Sequence, residues 1–308
     1  MVCYYSDSKI NAQPCVLALG NFDGVHKGHK QILESAYEYA KEKSLKFGVF
    51  TFDVHPRLCA NDSSFRLLLP TEEKIKLFKA SGADFVYFED FSKVKDFEKQ
   101  EFVQYIIKTL GAEAVFCGEN FKYAKGASGD CKTLAEDMAR LSKKVFSLPL
   151  LYEDTQPISS SRIRSLVEKG DVEKANMLLG HKFSIDGKVL HGNSLGHTIG
   201  FPTVNIKLSD TLVHPKYGVY ASEIFVDGKR YYGVTDVGVK PTVANDEKNV
   251  LAETNIFGFD KDIYGKYIKV CLCKLLRTEK RFSGLEELKR AIDNDVENTK
   301  KYFGVTDI

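Results

Sequence analysis

The sequence predicts an α/β protein in two parts: a parallel sheet with helices on its faces, then a small antiparallel β-barrel with a C-terminal helix. Three observations carry this. Through about residue 150, short apolar runs alternate with stretches of helical periodicity, which implies a parallel sheet covered by helices. From Phe183 the alternation gives way to closely spaced β-rich stretches, as in a small barrel. Near the end, Leu285, Leu288, Ile292 and Val296 recur on one helical face.

Taken in order, Val16–Leu19, Lys46–Phe52, Phe85–Phe88, Ala114–Cys117 and Lys144–Leu148 read as short buried strands. Helical spacing places helices over Gly28–Lys43, Thr71–Ser81 and Glu98–Leu110. Ser159-Ser160-Ser161 opens another helix, and Gly170-Asp171 a second that stops at Gly180. The barrel strands are expected at Tyr217–Phe225, Arg230–Val237, Ala252–Phe257 and Ile268–Leu276, with Asp227-Gly228 as a hairpin turn. The domain boundary is expected near residues 180 to 185, giving domains 1–182 and 183–308.

Bulk properties narrow the function. The 44 Lys and Arg against 42 Asp and Glu leave a formal net charge of +2, so no nucleic-acid partner of the electrostatic kind is expected. No apolar run approaches the length of a membrane span, and Met1-Val-Cys-Tyr-Tyr-Ser-Asp lacks the basic start and apolar core of a secretion signal. The seven scattered cysteines fit reduced thiols, with Cys271 and Cys273 read as packing residues. A cytoplasmic protein with no membrane partner is expected.

Chemistry concentrates in a few segments. The strand Val16–Leu19 runs into Gly20-Asn-Phe-Asp-Gly-Val-His-Lys-Gly-His29 and then a helix. Such a turn delivers the chain to a helix N-terminus, whose free N–H groups and dipole favour anions. His26 and His29, three apart, aim at the same anion once the helix has begun. Gly28 between them removes a side chain where close approach is needed. A metal half-site is the rival reading, but no Cys or further His lies close by in sequence to complete a zinc site; the pair can also be inert surface residues. Downstream of a strand, Cys117–Asp130 is glycine-rich and includes Asn120, both donor and acceptor. Ser159–Arg164 combines helix-capping hydroxyls with Arg162 and Arg164, which can grip phosphate through two bonds at once.

The second half has its own glycine-rich loop, His191–Asn205. It lacks the Gly-Lys-Ser/Thr of a P-loop, yet its backbone can cradle phosphates. Thr203 and Asn205 are hard oxygen donors at alternate positions, suited to magnesium brought in with a nucleotide. The alternative is a barrel corner with incidental polar residues. Glu253, in a strand-like run, is either a solvated carboxylate or a positioned base.

Together these segments resemble the prokaryotic bifunctional riboflavin kinase/FMN adenylyltransferases, over nearly the whole length. The first part is similar to Rossmann-like nucleotidyltransferases through Gly20–His29 and Ser159–Arg164, and to their flavin branch through Thr51-Phe-Asp-Val-His-Pro-Arg57 and Gly118-Glu-Asn-Phe121. Gly200-Phe-Pro-Thr-Val-Asn205 and Glu253 resemble the flavokinase magnesium site and base. The resemblance implies two ATP-dependent reactions: riboflavin to FMN, then FMN to FAD with release of pyrophosphate. It assigns His26, His29 and Glu253 to catalysis. It assigns Gly20, Phe22, Asp23, Gly28, Ser160, Arg162, Arg164, Gly192, Gly196 and Gly200 to ATP, Asn120 and Phe121 to flavin, and Thr203 and Asn205 to Mg2+. The chain departs from the family pattern at Lys122, Tyr123, Ala124, Ala127, His197 and Lys240; where Lys replaces Arg, bidentate geometry is lost. An adenylyltransferase for another phosphate-bearing acceptor, such as a pantetheine phosphate, and a non-catalytic flavin- or nucleotide-binding regulator are the competing functions.

Overall fold

The computed structural model describes residues 1–8, 10–190, 203–241 and 248–306. These form two compact units, Met1–Ser160 and Ser161–Ile308.

The first unit is built on a six-stranded sheet: β1 (Val2–Tyr5), β2 (Cys15–Leu19), β3 (Lys46–Phe52), β4 (Phe85–Glu89), β5 (Ala112–Gly118) and β6 (Lys144–Leu148). Its order is β1-β4-β3-β2-β5-β6, and every ladder is parallel. The longer helices between the strands are α1 (Lys27–Lys43), α2 (Thr71–Ala80), α3 (Lys99–Leu110) and α4 (Cys131–Ala139). The pleat of β2 divides its residues between two cores. Val16 and Ala18 pack with Ile32, Leu33 and Ala36 of α1. Cys15, Leu17 and Leu19 pack with Val103 and Ile106 of α3 and Leu134 of α4. Because β3 and β4 extend from one side of β2 and β5 and β6 from the other, the strand order reverses between β2 and β5. Ligands of such sheets bind beyond the carboxyl ends of the strands at that reversal.

The expected strands and helices of this unit are present, with ends shifted by a residue or two. The sequence gives no expectation of α4, nor of β1, a four-residue edge strand paired parallel to β4. The β1 run Val-Cys-Tyr-Tyr is too short to show a period, so only the tertiary pairing defines it.

In the second unit, α5 (Ser160–Lys169, starting at the end of the first unit) and α6 (Val172–Leu179) precede six strands. These are β7 (Ser184–Lys188), β8 (Val204–Lys207), β9 (Gly218–Val226), β10 (Lys229–Pro241), β11 (Lys248–Ile256) and β12 (Tyr267–Thr278). They pair antiparallel in the order β7-β12-β9-β10-β11-β8. The end strands approach through a bridge in which Leu190 N–H donates to the Asn205 carbonyl at 2.8 Å, so the barrel is nearly closed. Asp227 and Gly228 both take positive φ, 50° and 77°, and make the β9–β10 hairpin turn as expected. Asn176 of α6 ties that helix to the barrel: its amide donates to Leu272 O of β12 at 2.9 Å and accepts from Phe183 N at 2.7 Å.

The C-terminal helix α7 (Leu285–Phe303) forms where expected, but its buried face differs. Leu285 is 68% exposed, whereas Asp295 and Thr299 are buried. The Arg277 guanidinium of β12 pairs with Asp295, its Nη2 2.9 Å and its Nε 3.0 Å from Oδ2. The helix is thus held to the barrel partly by an ion pair that hydrophobic periodicity does not register.

Candidate active sites

The Gly20–His29 turn leaves the carboxyl end of β2 at the strand-order reversal and enters α1 at Lys27. It is strained: Phe22, Gly24 and Val25 have φ of 50°, 79° and 38°, and left-handed non-glycine residues cluster where a site over-determines them. Its anchors are specific. Asp23 is buried and accepts from Leu68 N at 2.8 Å. The Ser160 hydroxyl donates to the Asp23 carbonyl at 2.8 Å. The Asn21 carbonyl accepts from Thr51 Oγ1 at 3.1 Å and from Lys74 Nζ at 3.2 Å. Phe22 is fully buried and meets His29 edge-on, ring centroids 5.2 Å apart.

His26 caps α1, its Nδ1 accepting from His29 N at 3.3 Å. The two imidazoles stack with centroids 3.6 Å apart and 17° between their planes. A Cβ at Gly28 would lie 3.3 Å from the His26 ring, so the close approach that the glycine permits is by that imidazole. His29 Nδ1 is buried with no hydrogen-bond partner among the described residues. Burial, with His26 and Lys74 nearby, pushes the His29 pKa well below its ordinary value, so the ring is neutral. A buried unsatisfied nitrogen in a strained turn at a sheet switch point asks for a ligand. Lys74, on α2, is a cation the sequence reading missed. Burial lowers its pKa to about 8 against the opposing pull of Asp23. Nothing in its local pattern sets it apart from the other lysines of α2; only the fold brings it to the turn.

The second contributor follows β5, the strand beside β2. Gly118 O accepts from Phe121 N at 2.9 Å, closing a turn that leaves Asn120 exposed. Phe121 stacks parallel to Tyr123, with centroids 6.1 Å apart. A Cβ at Gly118 would lie 3.6 Å from Ile32 Cδ1, which puts this turn against the first part of α1. Gly20–His29, Ser160 and the Asn120–Phe121 turn therefore gather in the first unit. Arg162 and Arg164 lie in the first turns of α5, in the second unit.

In the barrel, Asn205 of β8 stands directly opposite Glu253 of β11, and Asp236 of β10 stands opposite Glu253 on its other side. Directly opposed residues project from the same sheet face, so these three form a polar row. Thr203 Oγ1 donates to Glu253 Oε1 at 2.7 Å, joining Thr203 to the row. Asp236 had no signal in sequence, since its place depends on strand register. Gly192, Gly196, Gly200 and His197 lie outside the described residues. Among the described residues no three His, Cys, Asp or Glu side chains cluster to hold a metal. The hydroxyl and amide oxygens of Thr203 and Asn205 fit instead a hard cation of the Mg2+ type, which keeps waters and substrate phosphates in its shell and needs few protein ligands.

The FAD synthetase family model matches residues 8–162, and the riboflavin kinase family model matches residues 179–303. A bifunctional riboflavin kinase/FMN adenylyltransferase from Bacillus subtilis is 36% identical over 292 residues, covering 94% of this chain and 92% of its own. The Escherichia coli K12 protein of the same description is 34% identical over 303 residues, covering 97% and 96%. The chain belongs to the bifunctional riboflavin kinase/FMN adenylyltransferase family. It has a FAD synthetase region followed by a flavokinase region. A solved structure described as a macrolide-efflux protein from Streptococcus pneumoniae shares the fold at a TM-score of 0.88 and 28% identity, over 97% of this chain and 99% of that one. Among the described residues no helix is long and apolar enough to cross a membrane.

Proposed function

We propose that the two family regions run successive ATP-dependent steps: phosphorylation of riboflavin to FMN in the barrel, and adenylylation of FMN to FAD with release of pyrophosphate at the first sheet. The observation that carries the adenylyl-transfer assignment is the unsatisfied Nδ1 of a neutral His29, stacked on His26 in a helix-N-terminal turn. Bound phosphate favours the charged imidazole, which burial disfavours, so nucleotide binding would draw a proton onto the pair. His26 and His29 would then stabilise charge on the transferring phosphate and the leaving pyrophosphate. FMN phosphate is already ionised near neutral pH, so the step needs positioning and charge stabilisation more than a base. Gly20, Phe22, Asp23 and Gly28 shape the cradle. Ser160, already on the turn, with Arg162 and Arg164, would hold the ATP phosphates. Asn120 and Phe121 would hold the flavin.

In the barrel, Glu253 would accept the proton of the ribityl hydroxyl as it attacks the γ-phosphate. Thr203 and Asn205 would hold Mg2+, which supplies charge neutralisation on the ATP phosphates; Gly192, Gly196 and Gly200 would line those phosphates. Domains 1–182 and 183–308 are the proposed catalytic division. It assigns α5 and α6 to the adenylyltransferase although they pack in the second compact unit, and residues 163–178 fall between the two family matches. The proposed setting is the cytoplasm, with riboflavin, FMN, FAD and ATP as partners and neither nucleic acid nor membrane among them.

Incubation with riboflavin, ATP and Mg2+, followed by chromatography, tests the reading. FMN should appear first and FAD after it, with one pyrophosphate per FAD. Absence of flavin products, with pyrophosphate released only when a pantetheine phosphate is supplied, would replace it with the adenylyltransferase rival.

A further inference from the structure

Cys117 and Cys131 lie 14 residues apart in sequence, yet their sulfurs are 3.4 Å apart. Cys117 is buried near the end of β5, while Cys131, the first residue of α4, is partly exposed. The Cys131 thiol also touches the Gly118 carbonyl at 2.9 Å. That carbonyl accepts from Phe121 N and closes the Asn120–Phe121 turn. A Cβ at Gly118 would come 3.0 Å from Asn120 Oδ1, so the Asn120 side chain rests directly on this residue. The pair is therefore wired to the turn that, on the function proposed above, holds the flavin.

We propose that Cys117 and Cys131 form an intramolecular disulfide under hydroperoxide, and that this bond suppresses FMN adenylylation by displacing the Gly118–Phe121 turn. The accessible Cys131 sulfur attacks the peroxide O–O bond, giving a sulfenic acid and an alcohol, or water when the oxidant is hydrogen peroxide. The Cys117 sulfur then attacks Cys131, the S–S bond forms, and the sulfenic oxygen leaves as water with the thiol proton. Two thiols are oxidised by two electrons and one peroxide is reduced. Burial raises the Cys117 pKa, which keeps it a thiol and leaves the first attack to Cys131. A disulfide brings the sulfurs to about 2.0 Å, a contraction of more than 1 Å at the base of the turn, and it removes the thiol proton that faces Gly118 O. Misplacement on that scale costs a positioned reaction roughly 100-fold. In the second unit, Cys271 and Cys273 are buried along one strand.

The test treats the full-length enzyme with hydrogen peroxide, alkylates the remaining thiols, and reads both linked peptides and rates. A peptide joining Cys117 to Cys131 should appear. FMN-to-FAD conversion should fall roughly 10- to 100-fold, riboflavin phosphorylation by the same sample should hold, and dithiothreitol should restore the lost rate. Cys131→Ser should keep its own untreated rate under peroxide, whereas Cys59→Ser, at an exposed single thiol, should stay as sensitive as the parent. Absence of the 117–131 link, a link without loss of adenylylation, or equal sensitivity of Cys131→Ser would each overturn the proposal. An enzyme that makes no FAD before treatment would count against the proposed function instead, while the linked peptide would still decide whether the disulfide forms.

Discussion

His29 carries the adenylyl-transfer assignment. Replacement by Ala should lower FAD formation roughly 100- to 1000-fold, the scale of losing one charge-stabilising donor, while FMN production from riboflavin continues. Parent-like FAD synthesis would remove His29 from the reaction. The same burial makes the fold acid-sensitive. The unfolded chain takes up this proton near 6.5 and the folded one only well below that, so stability falls as pH drops through 6.5 and below. Lys74 adds a pH limit on the other side. Its charge is lost as pH rises through about 8, so kcat/KM for FMN adenylylation should decline above that pH. Lys74→Arg should abolish the decline, because a guanidinium keeps its charge; an unchanged limb would exclude Lys74 as its source. Ala124 tests the loop after Asn120. Its φ of 64° and ψ of 172° lie in a region kept almost entirely for glycine. Ala124→Gly should stabilise the protein by about 1 kcal/mol in urea unfolding.

At the level of elements, the ion pair between Arg277 of β12 and Asp295 of α7 is the feature with the clearest energetic consequence. Asp295 is 2% exposed, and its burial raises its pKa against the pull of Arg277. Arg277→Leu should destabilise the second unit by about 3 kcal/mol, the cost of leaving a buried charge alone; a loss under ~1 kcal/mol would mean that apolar contacts alone seat the helix. This helix also marks how far sequence patterns reach. The period-3.6 signal located α7 but placed Leu285 on the buried face, because a pattern of apolar residues cannot weigh a buried carboxylate. The strands of the first sheet were legible because a parallel sheet buries both faces and leaves continuous apolar runs. Strand β1 was not, since four residues carry no period. The His pair was legible because a strand, a glycine turn and a helix start are local features. Lys74 and Asp236 were not, since one needs the placing of α2 and the other the β10–β11 register.

Across the molecule, each family region would have its own site on the function proposed. The first is built on a switch point and a strained turn. The second is built on a row of polar residues crossing three barrel strands. The proposed chemistry asks for different residues, a charge-stabilising imidazole in one and a proton-accepting carboxylate in the other, so the two activities should separate cleanly by mutation. Glu253→Gln should end riboflavin phosphorylation and spare FMN adenylylation; His29→Ala should do the reverse. The most direct measurement mixes the two full-length variants with riboflavin, ATP and Mg2+ and follows flavins by chromatography. Two self-sufficient sites predict that His29→Ala alone stops at FMN, that Glu253→Gln alone makes nothing from riboflavin, and that the mixture makes FAD. A mixture that yields no more FAD than either variant by itself would contradict the account.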